Sequence, residues 1–291
     1  VDTRLSLADE FKQAAQQDWG WPVARAPLQT DPADSATIIN AWFSSETNGR
    51  TTNVVSHADI PPGSGFIGVT VATFVSPWKQ AYFERGDTIA EDFHLSAKSK
   101  ACVSTMKSSA TFPYGENEQL QLLRLDYKHE GTALLLLLPK DASRFSETLA
   151  AFTSETFVKS VAELRSIQVQ LWLPKVRSVS QIDWRTPLGQ LGLATAFTPE
   201  ADFNRISGNK QVPLSLARLV QDVHIQWDEA GTEARSRIEH ISWLGMVPEP
   251  PRPPVRFIAN HPFAYLIFNT TNLDIYFMGV VSEPSQVLTL Q

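Results

Sequence analysis

The stretch from Phe257 to Pro284, FIANHPFAYLIFNTTNLDIYFMGVVSEP, constrains the fold more than any other part of the chain. It holds two apolar runs rich in β-branched and aromatic residues, Phe263–Phe268 and Ile275–Val281. Between them lie Asn269-Thr270-Thr271-Asn272-Leu273-Asp274, polar turn formers at hairpin spacing. A hairpin apolar on both faces has to sit within a packed sheet, because an exposed edge of that kind aggregates. The consecutive leucines Leu134–Leu138 point the same way: without alternation, they predict a strand buried on both faces.

A chain of 291 residues is one large domain or two ordinary ones, with room for a substantial core. Its 25 Lys and Arg are scattered and the net charge is −6, which argues against a nucleic-acid or anionic-membrane surface. The one cysteine, Cys102, excludes an intramolecular disulfide and reads as an inert half-buried residue rather than a reactive thiol beside Lys100. The longest apolar run, Ala133–Leu138, is strand-sized and far short of a membrane span. Six histidines show no metal spacing, and no G-x-S-x-G, H-E-x-x-H or phosphate-binding glycine loop is present. No metal, no cofactor and no enzymatic activity are therefore expected. Asn269-Thr270-Thr271 is a glycosylation sequon in the expected hairpin turn, so Asn269 is a candidate glycan site.

Periodicity predicts an amphipathic helix over Leu5–Trp19 and a proline-broken edge strand over Trp21–Leu28. Asp31-Pro32-Ala33-Asp34 is a helix start, and the helix runs to Asn48-Gly49. Strands are expected at Phe66–Phe74, Val103–Phe112, Leu120–Tyr127, Thr132–Leu138, Ile167–Leu173 and Leu214–Trp227. Short helices fit Ser143–Phe152, Ser154–Leu164 and Trp184–Leu191. No repeat or linker divides the chain. The expectation is one α+β domain, 1–291, with several sheets.

The residue strings carry more than their periodicity. Asn260-His261-Pro262-Phe263, then Tyr276-Phe277-Met278-Gly279 and Ser282-Glu283-Pro284, resembles the C-terminal signature of the serpins. Ile39-Asn40-Ala41-Trp42 with Thr47-Asn48-Gly49 is similar to the serpin helix that lies across the large sheet. Phe66 to Trp78 is similar to the strand that ends in that family's tryptophan at the top of the sheet. Asp92-Phe93-His94, Thr111-Phe112-Pro113-Tyr114, Leu137-Leu138-Pro139-Lys140, Leu173-Pro174-Lys175 and Ala196–Phe203 have counterparts in the same order. The resemblance implies a serpin fold: multiple sheets, surrounding helices and an exposed reactive-centre loop. It also implies that the helices and strand usually found before the position of Val1 lie outside this sequence. The helix that serves heparin-activated relatives as a cofactor site falls there, so nothing is read about glycosaminoglycans.

Gly231-Thr232-Glu233-Ala234, preceded by Glu229, matches the hinge of inhibitory serpins, and 229–256 corresponds to the hinge and loop. The resemblance implies a mechanical inhibitor, not an enzyme. A target protease attacks a bond in the loop, and the freed loop inserts as a central strand before the acyl-enzyme can hydrolyse. Arg235 and Arg237 argue against insertion by composition. As a strand, however, the run alternates: Thr232, Ala234, Ser236 and Ile238 share one face, and Glu233, Arg235, Arg237 and Glu239 the other. Counting from the hinge puts the scissile bond at Gly245-Met246, with Trp243-Leu244 just before it as the bulky apolar pair a chymotrypsin- or elastase-like pocket accepts. Counting back from Phe257 moves it toward Pro248. Thr70 and Gln221 stand where the family usually has an asparagine and a histidine bonded across the point where the sheet parts; with Trp78 they form the sheet-opening region, and both replacements can still pair. The implied partner is a serine protease, and the implied location is extracellular. The rival is a non-inhibitory serpin: a carrier, chaperone, storage protein or peptide precursor.

Overall fold

A computed structural model describes residues 1–49, 51–61, 63–208, 214–232 and 253–284. In chain order these form α1 (Asp9–Gln17), α2 (Pro32–Glu46), β1 (Phe66–Thr73), β2 (Ser76–Pro77), β3 (Ile89–His94), β4 (Lys100–Glu116), β5 (Leu120–Asp126) and β6 (Thr132–Pro139). There follow α3 (Phe145–Ala150), α4 (Ser154–Glu163), β7 (Arg165–Pro174), β8 (Val176–Asp183), α5 (Arg185–Leu188), β9 (Leu216–Asp228), β10 (Gly231–Thr232), β11 (Val255–Ile258), β12 (Phe263–Asn269) and β13 (Ile275–Val281). They fall into two compact units, one of Val1–Ala72 with Val179–His224, the other of Thr73–Ser178 with Ile225–Gln291.

In the first unit β9 pairs with β1 and with β8. Helix α2 starts as expected: the Asp31 side chain accepts from the Asp34 N–H at 2.9 Å, and Pro32 takes the first position, where a missing N–H costs nothing. Its inner residues join Ala26, Leu28, Val55 and Ile60 in one apolar cluster, against which Ile67 and Val69 of β1 pack. Trp21–Leu28 is not the expected strand. Pro22 and Pro27 remove ladder donors, and only an isolated bridge from Ala26 to Asp2 forms. Helix α1 is shorter than its pattern, with Ala15 its one buried residue.

The second unit is built on an eight-stranded sheet of order β11-β7-β4-β5-β6-β12-β13, with β3 on β4. All of β6 is buried, as the leucine run implied. Leu135 and Leu137 point with Ala264 and Phe268 toward Phe157 of α4, while Leu136 pairs with Tyr265 on the opposite face. The hairpin β12–β13 forms where expected. The Asn269 carboxamide oxygen accepts from the Thr271 N–H at 2.8 Å, and its nitrogen donates to the Tyr276 hydroxyl at 3.0 Å. Three strands of four residues or more escaped the sequence reading. β3 is polar and mostly exposed, β8 is polar and half exposed, and β11 has only four residues beside a proline run. Cys102 is exposed, not half-buried, because β4 alternates and turns Val103 inward instead.

Candidate functional site

The site lies in the second unit, where the chain leaves β9. Trp78 and Tyr127, both almost fully buried, stack with ring centroids 4.7 Å apart and planes 13° from parallel. The Trp78 indole donates to the Asp228 carbonyl at 2.9 Å, which pins the end of β9 beside β2. Trp227, the other buried tryptophan here, is core: its indole donates to the Pro174 carbonyl at 3.1 Å and its ring meets Tyr265 edge-on.

From Asp228 the chain turns back. The Asp228 carboxylate accepts from the Ala230 N–H at 2.8 Å, and Gly231 and Thr232 then run antiparallel to the end of β9. The same two residues pair on their other side with Ser76 and Pro77 of β2. So Gly231 and Thr232, the first two residues of the expected hinge motif, form a short strand, β10, with a neighbour on each edge. Gly231 has φ near +136°, and a Cβ there would meet the Pro77 Cα and the Ser76 carbonyl oxygen at 2.5 Å, so only glycine fits. Thr232 is fully buried, and its hydroxyl shares a 2.7 Å hydrogen bond with that of Tyr127, whose own ionisation burial opposes strongly.

Glu229, at the bend, is a buried carboxylate. Lys175 donates to its Oε1 at 2.7 Å and Thr88 to the same oxygen at 2.6 Å. Burial by itself raises a carboxyl pKa, but these bonds outweigh it and hold Glu229 below its ordinary value. The stabilisation is therefore complete above pH 4.5, the unperturbed value, and fades as pH falls through the lower native value. Glu229→Gln is expected to cost about 2 kcal/mol at pH 7, since it leaves Lys175 without its counter-charge. Urea unfolding at pH 7 and at mildly acidic pH checks this, and the variant should lose part of the wild-type acid dependence. Lys175, Thr88 and Tyr127 were invisible as partners in the sequence, because they lie 54, 141 and 105 positions from the residues they bind.

In the first unit the Thr70 hydroxyl donates to the Val220 carbonyl at 3.5 Å, a long bond. Among the described residues no hydrogen bond joins Thr70 to Gln221, so the pairing that the two replacements permit is not made: the short threonine side chain meets the neighbouring backbone instead. Glu233, Ala234, Trp243, Leu244, Gly245 and Met246 lie outside the described residues, as do Arg235, Arg237 and Pro248. Asn269, the sequon residue, is half-buried and uses its carboxamide to hold the hairpin turn. Among the described residues no group of histidines, cysteines and carboxylates is placed to hold a metal ion, and no helix is long and apolar enough to cross a membrane.

This fold, with a short glycine-led strand paired between β9 and β2, is that of a known class. The serpin (serine protease inhibitor) family model matches residues 1–284, and the chain belongs to that family. It is 30% identical over 290 residues to alpha-1-antichymotrypsin of Homo sapiens, covering 98% of this chain and 66% of that protein. It is 25% identical over 284 residues to the leukocyte elastase inhibitor of Bos taurus, covering 94% of this chain and 73% of that protein. Among solved structures it resembles Serpin48, a highly specific serpin of the insect Tenebrio molitor, with a TM-score of 0.81 at 27% identity, covering 98% of this chain and 74% of that one. The chain spans about two thirds of the length of the curated relatives it matches.

Proposed function

We propose that this protein inhibits a chymotrypsin- or elastase-like serine protease as a suicide substrate, outside the cell. The single observation that carries the reading is β10: the hinge already occupies a strand position between β9 and β2, with Thr232 buried at its head. A loop that continues from a two-sided strand start extends an existing ladder rather than nucleating a new one. The alternation from Thr232 to Glu239 supports the same reading, since it places small or apolar residues on one face and charges on the other. Trp243 and Leu244 supply the side chains an apolar specificity pocket takes, and two relatives bear the names of an elastase inhibitor and an antichymotrypsin.

Arg235 and Arg237 favour a second reading, a serpin that is cut without trapping. Incubation with chymotrypsin, elastase and trypsin separates the two. The inhibitory reading expects a protease complex that survives boiling in SDS with one of the first two; clean loop cleavage by every protease, with no complex, sinks it.

A further inference from the structure

One turn of the second unit displays a pair of opposite charges that nothing in the fold uses. Glu84, Arg85, Gly86 and Asp87 are all exposed, and Arg85–Asp87 form a single turn of 3-10 helix. The Asp87 N–H donates to the Glu84 carbonyl at 3.0 Å and the Thr88 N–H to the Arg85 carbonyl at 3.4 Å, so the turn closes on its own backbone. Among the described residues no side-chain hydrogen bond or ion pair engages Arg85 or Asp87. Exposed cations elsewhere, Lys12, Lys100 and Arg144, each find a carboxylate nearby. Gly86 is equally unconstrained from within. Its backbone is not left-handed, and a Cβ there would meet nothing within 4 Å, so the fold does not require glycine at this point.

Both stems of the turn are fixed. On the entering side Tyr82 and Phe83 are buried, and their rings meet Trp78 edge-on at 6.2 and 6.3 Å. The Tyr82 hydroxyl also accepts from the Asp126 N–H at 3.2 Å. On the leaving side the Thr88 hydroxyl donates to Glu229 at 2.6 Å, and Ile89 enters the β3–β4 ladder opposite Thr105. A tip clamped at both ends holds its side chains ready, and docking on it has little left to order. The chemistry on display is specific. A guanidinium forks onto carboxylates, a carboxylate two residues on completes the oxygen shell of a divalent cation, and the bare glycine between them lets a partner's surface approach the backbone.

We propose that Arg85-Gly86-Asp87 is a recognition site for a cell-surface adhesion receptor, whose pocket takes the Arg85 guanidinium on carboxylates and the Asp87 carboxylate on a bound divalent cation. That such a receptor is met at all rests on the extracellular part of the reading above; binding itself is tested without it. The full chain is immobilised and a purified integrin ectodomain of the vitronectin-receptor type is passed over it in magnesium, with binding read by surface plasmon resonance. Wild type is expected to bind, to release the receptor in EDTA and to lose it to a free Arg-Gly-Asp peptide. Asp87→Glu keeps the charge but moves it one methylene outward, and should weaken binding about tenfold. Arg85→Lys keeps the charge without the fork and should weaken it about fivefold. Gly86→Ala adds a methyl that meets nothing in this chain, so binding should fall about fivefold while the melting temperature stays within about 2 °C of wild type. Glu84→Gln, just outside the tripeptide, should change binding by less than about twofold. No binding by wild type, binding that survives chelation, or undiminished binding by Asp87→Glu and Gly86→Ala overturns the site. Attraction between surface charges alone gives the last of these results, since both variants keep the net charge. A wild type that binds the receptor yet traps no protease leaves the site standing and removes the inhibitory reading. One that traps a protease and does not bind does the reverse.

Discussion

On the proposed inhibitory reading, Thr232→Arg converts a trap into a plain substrate, raising the inhibitor consumed per protease blocked by about tenfold or more. Thr232 has no exposed surface, has a strand on each side, and its hydroxyl is shared with Tyr127. An arginine side chain at that position meets the buried Trp78–Tyr127 stack, an apolar surrounding for its charge. The desolvation cost of that charge, several kcal/mol, drives the hinge out of the strand position it already occupies, so insertion has to start from a displaced hinge. Insertion slows while hydrolysis of the acyl-enzyme does not, so the balance shifts toward cleaved, released loop. Thr232→Val is the control. It keeps the shape and loses one shared hydrogen bond, about 1 kcal/mol, so inhibition should survive. Titrating a fixed amount of protease with each variant measures the ratio. Equal ratios for Thr232→Arg and wild type would mean that the hinge does not lead an insertion.

The effect expected of Thr232→Arg depends on contacts that the sequence hides and on a motif that it displays. The hairpin β12–β13, the buried β6 and the capped start of α2 were legible because their signals are local: apolar runs, a leucine tract, an aspartate before a proline. Gly231 stood out in the sequence through its family motif, and the structure adds why it must be glycine: a positive φ together with the close approach of Pro77. What surrounds the hinge was not legible. Glu229 finds Lys175 and Thr88, and Thr232 finds Tyr127, across separations that no periodicity spans. The same holds for the ion pair of Asp59 with Arg218. Polar strands such as β8 escape for a related reason, since their place is set by the ladder of a neighbour rather than by an apolar face of their own. Thr70 and Gln221 were legible as departures from the family pattern. That Thr70 would reach the Val220 carbonyl was not, because a side chain's choice between backbone and side-chain partners depends on distances the sequence does not carry.

Insertion has one thermodynamic signature that does not depend on knowing the target. Once the loop is cut, residues after Thr232 are free to continue β10 as a full strand. About ten added ladder hydrogen bonds at about 1 kcal/mol each, with the small or apolar face of Ala234, Ser236 and Ile238 buried, amount to roughly 10 kcal/mol. For a chain of this size that gain raises the melting temperature by roughly 15 °C or more. The comparison needs only the native protein and the same protein nicked within 243–252 by any protease, both melted under one set of conditions. An upward shift of that size supports a trap driven by strand insertion. A nicked form that melts within about 5 °C of the intact one contradicts it, because a loop that gains nothing on release has no energy with which to distort a protease.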